Sequence, residues 1–168
     1  MTTDPRPRHD AESETTTARD PERVAAQAGV VLRTDIVEEP LEPLLAPARA
    51  LTMTRAMGAL VVFDGVVRDH DGGRGVLGLS YTAHPEAPRY LAEVAERIIA
   101  RHPAVRLWAV HRVGPIPIGE SALTVLAAAA HRGAAFAAAQ DLADAVKAEV
   151  PIWKEQHLAG GGTEWVGL

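Results

Sequence analysis

Lys147 and Lys154 are the only lysines in a chain that carries 17 basic residues. Arginine is a fixed cation near neutrality. Lysine is a compact ammonium that can serve as acid, base, nucleophile or charge stabiliser. Keeping an amine at just two places, seven residues apart, therefore marks the stretch from His131 to Lys154 for attention. Composition alone does not separate this from chance in an arginine-biased chain. Local patterning offers each lysine an ordinary explanation as well. Lys147 falls in the last turn of an expected helix, where a cation gains a few tenths to about 1 kcal/mol from the helix dipole. Lys154 falls in an extended segment, sharing a face with Ile152 while Trp153 and Glu155 share the other. That places its amine either at the edge of the core, partly desolvated, or snorkelled out to water.

Three further groups could join them. His131-Arg132 precedes the same helix, where free backbone N–H groups and the dipole favour an anion, and a guanidinium suits phosphate or carboxylate. Arg68 closes an apolar run and opens the polar, glycine-rich loop Arg68-Asp69-His70-Asp71-Gly72-Gly73, which is expected to be mobile. His111-Arg112 lies mid-strand and reads as structural, with one of the two facing the core. The set holds guanidiniums, an imidazole and two amines, and no evident carboxylate pair. It suits an anionic substrate with proton transfer or charge stabilisation by lysine, and it is poor for glycosidase or aspartic-protease chemistry.

Composition narrows the field. A net charge of −5 argues against a general nucleic-acid binder. There is no cysteine, hence no disulfide, thiolate metal site or cysteine nucleophile, so any sulfur must come from elsewhere. The seven histidines show no paired metal-ligand spacing, and no metal or bound cofactor is expected. Neither a signal pattern nor a membrane-length apolar segment is present, which predicts a cytoplasmic protein.

The elements that must position these residues follow from periodicity. Residues 1–26 are polar and mixed in charge and are expected to be a disordered tail, leaving 27–168 as one domain. Strands are expected over 28–37, 58–67, 76–83, 105–113, 121–129, 152–158 and 163–166. The run 58–67 reads as buried on both faces and as the hairpin partner of 76–83, across a long connection. Helices are expected over 41–51, 85–102 and 133–149. The second of these presents Tyr90, Leu91, Val94, Ala95 and Ile98 inward, and the third Phe136, Ala139, Ala143 and Val146. Pro151 should end the third helix. The segment 114–119, with two prolines and two glycines, reads as an irregular turn. Strands joined by turns, without strict alternation with helices, predict an α+β layer structure with a mostly antiparallel or mixed sheet.

Several of these segments, in this order, resemble the large, catalytic subunit of molybdopterin synthase. They are Phe63-Asp64-Gly65-Val66-Val67-Arg68, Leu79-Ser80-Tyr81, His111-Arg112-Val113-Gly114, Gly119-Glu120, His131-Arg132-Gly133-Ala134-Ala135-Phe136, and Lys147 followed by Val150-Pro151-Ile152-Trp153-Lys154-Glu155. The resemblance runs over roughly residues 28–166. It implies an α/β hammerhead-type fold and a homodimer within a heterotetramer, each protomer binding a small ubiquitin-like sulfur carrier. The carrier's Gly-Gly tail, ending in a thiocarboxylate, would enter a pocket, and two sulfurs would pass to cyclic pyranopterin monophosphate to give the dithiolene of molybdopterin. By the same resemblance Lys147 and Lys154 match the active-site lysines. Arg68, His131 and Arg132 match the basic residues that bind the pterin's phosphate or shape the pocket.

There are two departures. Some relatives continue past the Trp-Val near the end and give a basic residue to the neighbouring protomer's pocket, and in a chain ending at Leu168 that contribution is expected to be absent or replaced. Gln156-His157 stands where some relatives are more charged. Two other readings remain open from the residues. One is a non-catalytic subunit that only binds a ubiquitin-like carrier. The other is a Schiff-base lysine enzyme acting on a phosphorylated carbonyl compound.

Overall fold

The computed structural model describes residues 21–167, with side chains to 165. Most of the expected tail, residues 1–20, lies outside the described residues, and Pro21–Ala25 form a short helix, α1. The remaining elements in chain order are β1 (Val30–Val37), a 3-10 turn at Glu42–Leu44, α2 (Leu45–Thr52), β2 (Ala59–Val66), β3 (His70–Asp71) and β4 (Arg74–Ala83). They continue with α3 (Ala87–Arg101), β5 (Val105–Arg112), β6 (Gly114–Ile116), β7 (Ser121–Ala129), α4 (Arg132–Glu149), β8 (Ile152–Leu158) and β9 (Thr163–Gly167). Among the described residues no helix is long and apolar enough to cross a membrane.

Two sheets divide the strands. The first runs β1-β5-β7-β2, with β1 parallel to β5 and the other pairs antiparallel. The second runs β3-β4-β8-β9, with β6 also on β4, all antiparallel. The mixed α+β architecture is as the sequence predicts. The expected hairpin between 58–67 and 76–83 does not form, because β2 pairs with β7 and β4 belongs to the second sheet. An apolar run fixes a strand but not its partner, and β7 offers a longer apolar match along the whole of β2. The segment 114–119 is also more regular than expected. Gly114 takes a positive φ of 79°, which frees Gly114–Ile116 to pair with Leu79–Tyr81.

The core lies between the first sheet and the pair α3–α4. Leu91, Val94, Ala95 and Ile98 of α3 meet Leu107 and Ala109 of β5, Val125 and Ala127 of β7, and Ala135, Ala138, Leu142 and Val146 of α4. Small side chains on both α4 and β7 let the helix sit close to the sheet. Every residue of β7 is buried. The opposite face of the sheet is closed by Leu41 and Ala48 against Trp108, Val110 and Leu126. Two expected core residues lie elsewhere. Tyr90 is 39 % exposed and carries the Arg89 guanidinium over its ring, and Phe136 is 62 % exposed. In α4 the buried stripe runs through 135, 138, 139, 142 and 146, so residue 136 falls about 100° away from it. Ala143 is likewise only partly buried.

Helix α4 ends where expected. Val150 is extended (φ −80°, ψ 125°), as the residue before a proline prefers, and β8 starts at once. Its last turn and the start of β8 therefore deliver Lys147 and Lys154 to the same end of the molecule. The segment after Arg68, expected as an irregular loop, forms a tight hairpin. Asp71 pairs with Arg74, and the two residues between them, Gly72 and Gly73, both have positive φ (54° and 77°). This is the backbone of a two-residue primed turn, which matches strand twist and which glycine adopts without strain.

Candidate functional site

A cavity of about 840 Å³ opens where the C-terminal half of α4 and the end of β2 meet the second sheet. That volume suits a ligand the size of a bicyclic or tricyclic heterocycle. Lys147 reaches it from α4, Lys154 from β8 and Arg68 from the end of β2, so three of the five expected site residues converge. Phe63 and Phe136 line its apolar side.

Lys154 has the more enclosed setting. Ile152, Lys154 and Gln156 alternate inward on β8, and the Lys154 side chain is 19 % exposed. Its Nζ donates to Asp71 Oδ2 at 3.0 Å. The same oxygen accepts from Gln156 Nε2 at 2.6 Å, while Asp71 Oδ1 accepts from Arg68 at 3.0 Å. Hydrogen bonds from Gln156 and Lys154, the Lys154 charge and then Arg68 hold the Asp71 carboxyl well below the usual carboxylate range. Lys147 is exposed, and among the described residues no carboxylate lies within ion-pair distance of it.

Behind the lysines stand a half-buried tyrosine and a buried histidine. Tyr81 of β4 is the register partner of Lys154, so the two side chains rise from neighbouring points of one face. Burial, followed by the nearby Asp71 charge, pushes the Tyr81 hydroxyl's pKa up. The Tyr81 ring meets His111 edge-on, with centroids 5.1 Å apart and an interplanar angle of 77°. His111 is 2 % exposed, and its Nδ1 lies 2.7 Å from the Arg112 carbonyl oxygen. A carbonyl only accepts, so Nδ1 carries the proton and Nε2 keeps a lone pair. Burial drives this imidazole down to about 4, against a smaller upward pull from that hydrogen bond. It is neutral at pH 7, and it lines the cavity. Arg112 is buried too, its guanidinium donating to Glu120 at 2.5 Å. Both members of the dipeptide thus face inward, where one was expected to.

His131 and Arg132 are not in this cavity. Both are exposed at the start of α4 beside a smaller recess lined by Gly58, Ala59, Ala130 and Gly133. Lys147 lies fifteen positions further along the helix than Arg132, about 22 Å at 1.5 Å per residue. Within one protomer the expected site residues therefore form two groups. Asp71, Tyr81, His111 and Gln156 were not expected as site residues. Strand alternation from Lys154 points to Gln156, and the Asp-Gly-Gly turn points to a hairpin that presents Asp71. The place of Tyr81 depends on a strand register that no local pattern reveals.

Residues 36–149 match the sequence profile of the family described as MoaE protein. A curated relative, the molybdopterin synthase catalytic subunit of Aspergillus fumigatus, is 35 % identical over 144 residues, 85 % of this chain and 76 % of that one. Other curated relatives of the same name are matched over 63 % to 87 % of their length. The crystal structure of molybdopterin synthase from Staphylococcus aureus is similar with a TM-score of 0.73 and 33 % identity, over 79 % of this chain and 96 % of that one. A complex of subunits 1 and 2 of the molybdopterin-converting factor from Helicobacter pylori has a chain of the same fold, with a TM-score of 0.63, 21 % identity, and 80 % and 88 % covered.

Proposed function

This chain belongs to the MoaE family, whose curated members are molybdopterin synthase catalytic subunits, and from that premise we propose a sulfurtransferase acting at the cavity around Lys147 and Lys154. The substrate is cyclic pyranopterin monophosphate. The sulfur comes from the C-terminal thiocarboxylate of a small ubiquitin-like carrier subunit, and two transfers give the dithiolene of molybdopterin. The observation that carries this reading is the convergence of the chain's only two lysines with Arg68 on one pterin-sized cavity.

The residues divide the work by charge and burial. Arg68, Lys147 and Lys154 attract the anionic thiocarboxylate and the phosphate. They also stabilise charge that develops on oxygen or sulfur, which is worth most where water is excluded. Phe63 and Phe136 offer apolar surface to the pterin rings or the carrier's tail. The absence of cysteine fits a reaction whose sulfur arrives on a partner.

The exposed apolar residues of β2, Val62, Phe63 and Val66, lie on an edge strand, where a partner would cover them. In this proposal the functional unit is a homodimer with one carrier per protomer, set in the cytoplasm. His131 and Arg132, about 22 Å from Lys147 along α4, then act on the cavity of the neighbouring protomer.

The test is reconstitution. Purified chain, thiocarboxylated carrier and the pterin precursor should yield molybdopterin. Carrier binding without any product would leave only a docking subunit. Trapping of a carbonyl substrate by borohydride on either lysine would favour Schiff-base chemistry instead. Arg132→Ala should raise the KM for the pterin or lower turnover, and an unchanged dependence on pterin concentration would remove Arg132 from the site.

A further inference from the structure

We propose that Asp71 is a positioning residue of this site, fixing where the Lys154 amine stands over the cavity. The inference rests on the reading that Lys154 acts on the substrate, and it adds a residue that reading does not use. A lysine has four rotatable side-chain bonds and up to about 2 kcal/mol of rotamer entropy to lose. On a strand facing an open cavity its amine would sweep a wide arc unless something held it. Asp71 holds it, with Nζ to Oδ2 at 3.0 Å.

What makes this more than a surface ion pair is the anchoring of Asp71 itself. The oxygen that takes Lys154 also takes Gln156 Nε2 at 2.6 Å, and Gln156 is 2 % exposed. Swinging the carboxylate away would leave a buried amide without its partner, which costs more than an exposed ion pair returns. The second oxygen is held by Arg68 at 3.0 Å. The backbone is equally constrained. Asp71 pairs with Arg74 across a two-residue turn, and the Arg74 guanidinium is bonded to Glu164 of β9. The hairpin thus joins the end of β2 to β8 and β9 and sets Lys154 and Arg68 on the two oxygens of one carboxylate.

The full-length chain tests this in two ways. Because Lys147 and Lys154 are the only lysines, trace acetylation with acetic anhydride and peptide mass spectrometry gives their relative reactivity, with Lys147 as internal standard. Lys154 should be labelled more slowly than Lys147 in the wild type, and the ratio should rise severalfold in Asp71→Ala. In the reconstituted reaction Asp71→Ala should lower kcat on the order of 10²-fold, the cost of misplacing a reacting group by about 1 Å. The KM for the pterin should stay within about threefold, because ground-state binding is not the main loss.

Asp71→Glu should recover part of kcat. Gln156→Met, which frees the carboxylate without removing a charge, should shift both readouts in the same direction by less. An unchanged labelling ratio in both Asp71→Ala and Gln156→Met overturns the proposal, and so does a loss of kcat that merely tracks a lower Tm. A raised labelling ratio alongside a wild-type chain that makes no product supports the positioning and sinks the sulfur-transfer reading, so the two failures are distinct.

Discussion

Among single side chains, His111 has the clearest consequence for stability. The unfolded chain takes up a proton on this imidazole near pH 6.5, whereas the folded chain resists until about 4. As pH falls through that window the unfolded state binds more protons, so stability drops. The gap is worth up to roughly 3 kcal/mol. Denaturant titrations at pH 7 and pH 4.5 should show the loss, and His111→Gln, which keeps a donor for the Arg112 carbonyl, should flatten it. An equal loss in the variant would assign the effect to other groups. The lowered carboxyls of Asp71 and Asp141 act below this window, where stability held above the usual carboxylate range is lost on acidification. Legibility in the sequence followed rarity. Lys147, Lys154 and Arg68 stood out by type and by place in the pattern. Asp71, Tyr81 and Gln156 are ordinary residues that matter through pairing between strands, which local sequence does not encode.

At the scale of elements, α4 is the spine that places the site, and its packing should be measurable. Leu142 is fully buried between α4 and the sheet, so Leu142→Ala should cost about 2–5 kcal/mol by denaturation. Gly58 opens β2 where a Cβ would stand 2.6 Å from the Ala130 carbonyl oxygen, so Gly58→Ala must move β2 or the approach to α4. It should lower Tm and reshape the recess beside His131 and Arg132. A variant with wild-type Tm would contradict this. The end of α4 and the strands around it were legible, because Pro151 and hydrophobic periodicity act locally. Two elements differ from the sequence expectation for a shared physical reason. The apolar run of β2 reads as buried on both faces, yet Val62, Phe63 and Val66 are 43 %, 40 % and 49 % exposed. Phe136 reads as core, yet it lines the cavity. Apolar character reports that a surface is to be covered, not whether its own chain covers it.

For the whole molecule, the separation of two basic groups along α4 leads to a prediction about assembly. If Arg132 serves the neighbouring protomer's cavity, Lys147→Ala and Arg132→Ala chains should each be impaired, and their mixed dimers should regain one intact site of two. Random mixing would then restore roughly a quarter of wild-type activity, as the symmetry of a closed dimer requires. No gain on mixing would return His131 and Arg132 to a local role at their own recess. The claim on which everything else depends is that sulfur passes to the pterin beside the two lysines. Its most direct measurement is the rate of molybdopterin formation from thiocarboxylated carrier by the wild type, Lys147→Ala and Lys154→Ala chains, each with folding and carrier binding verified. Carrier should bind to all three, and product formation should be severely reduced in both variants. Full turnover by both variants would contradict that claim.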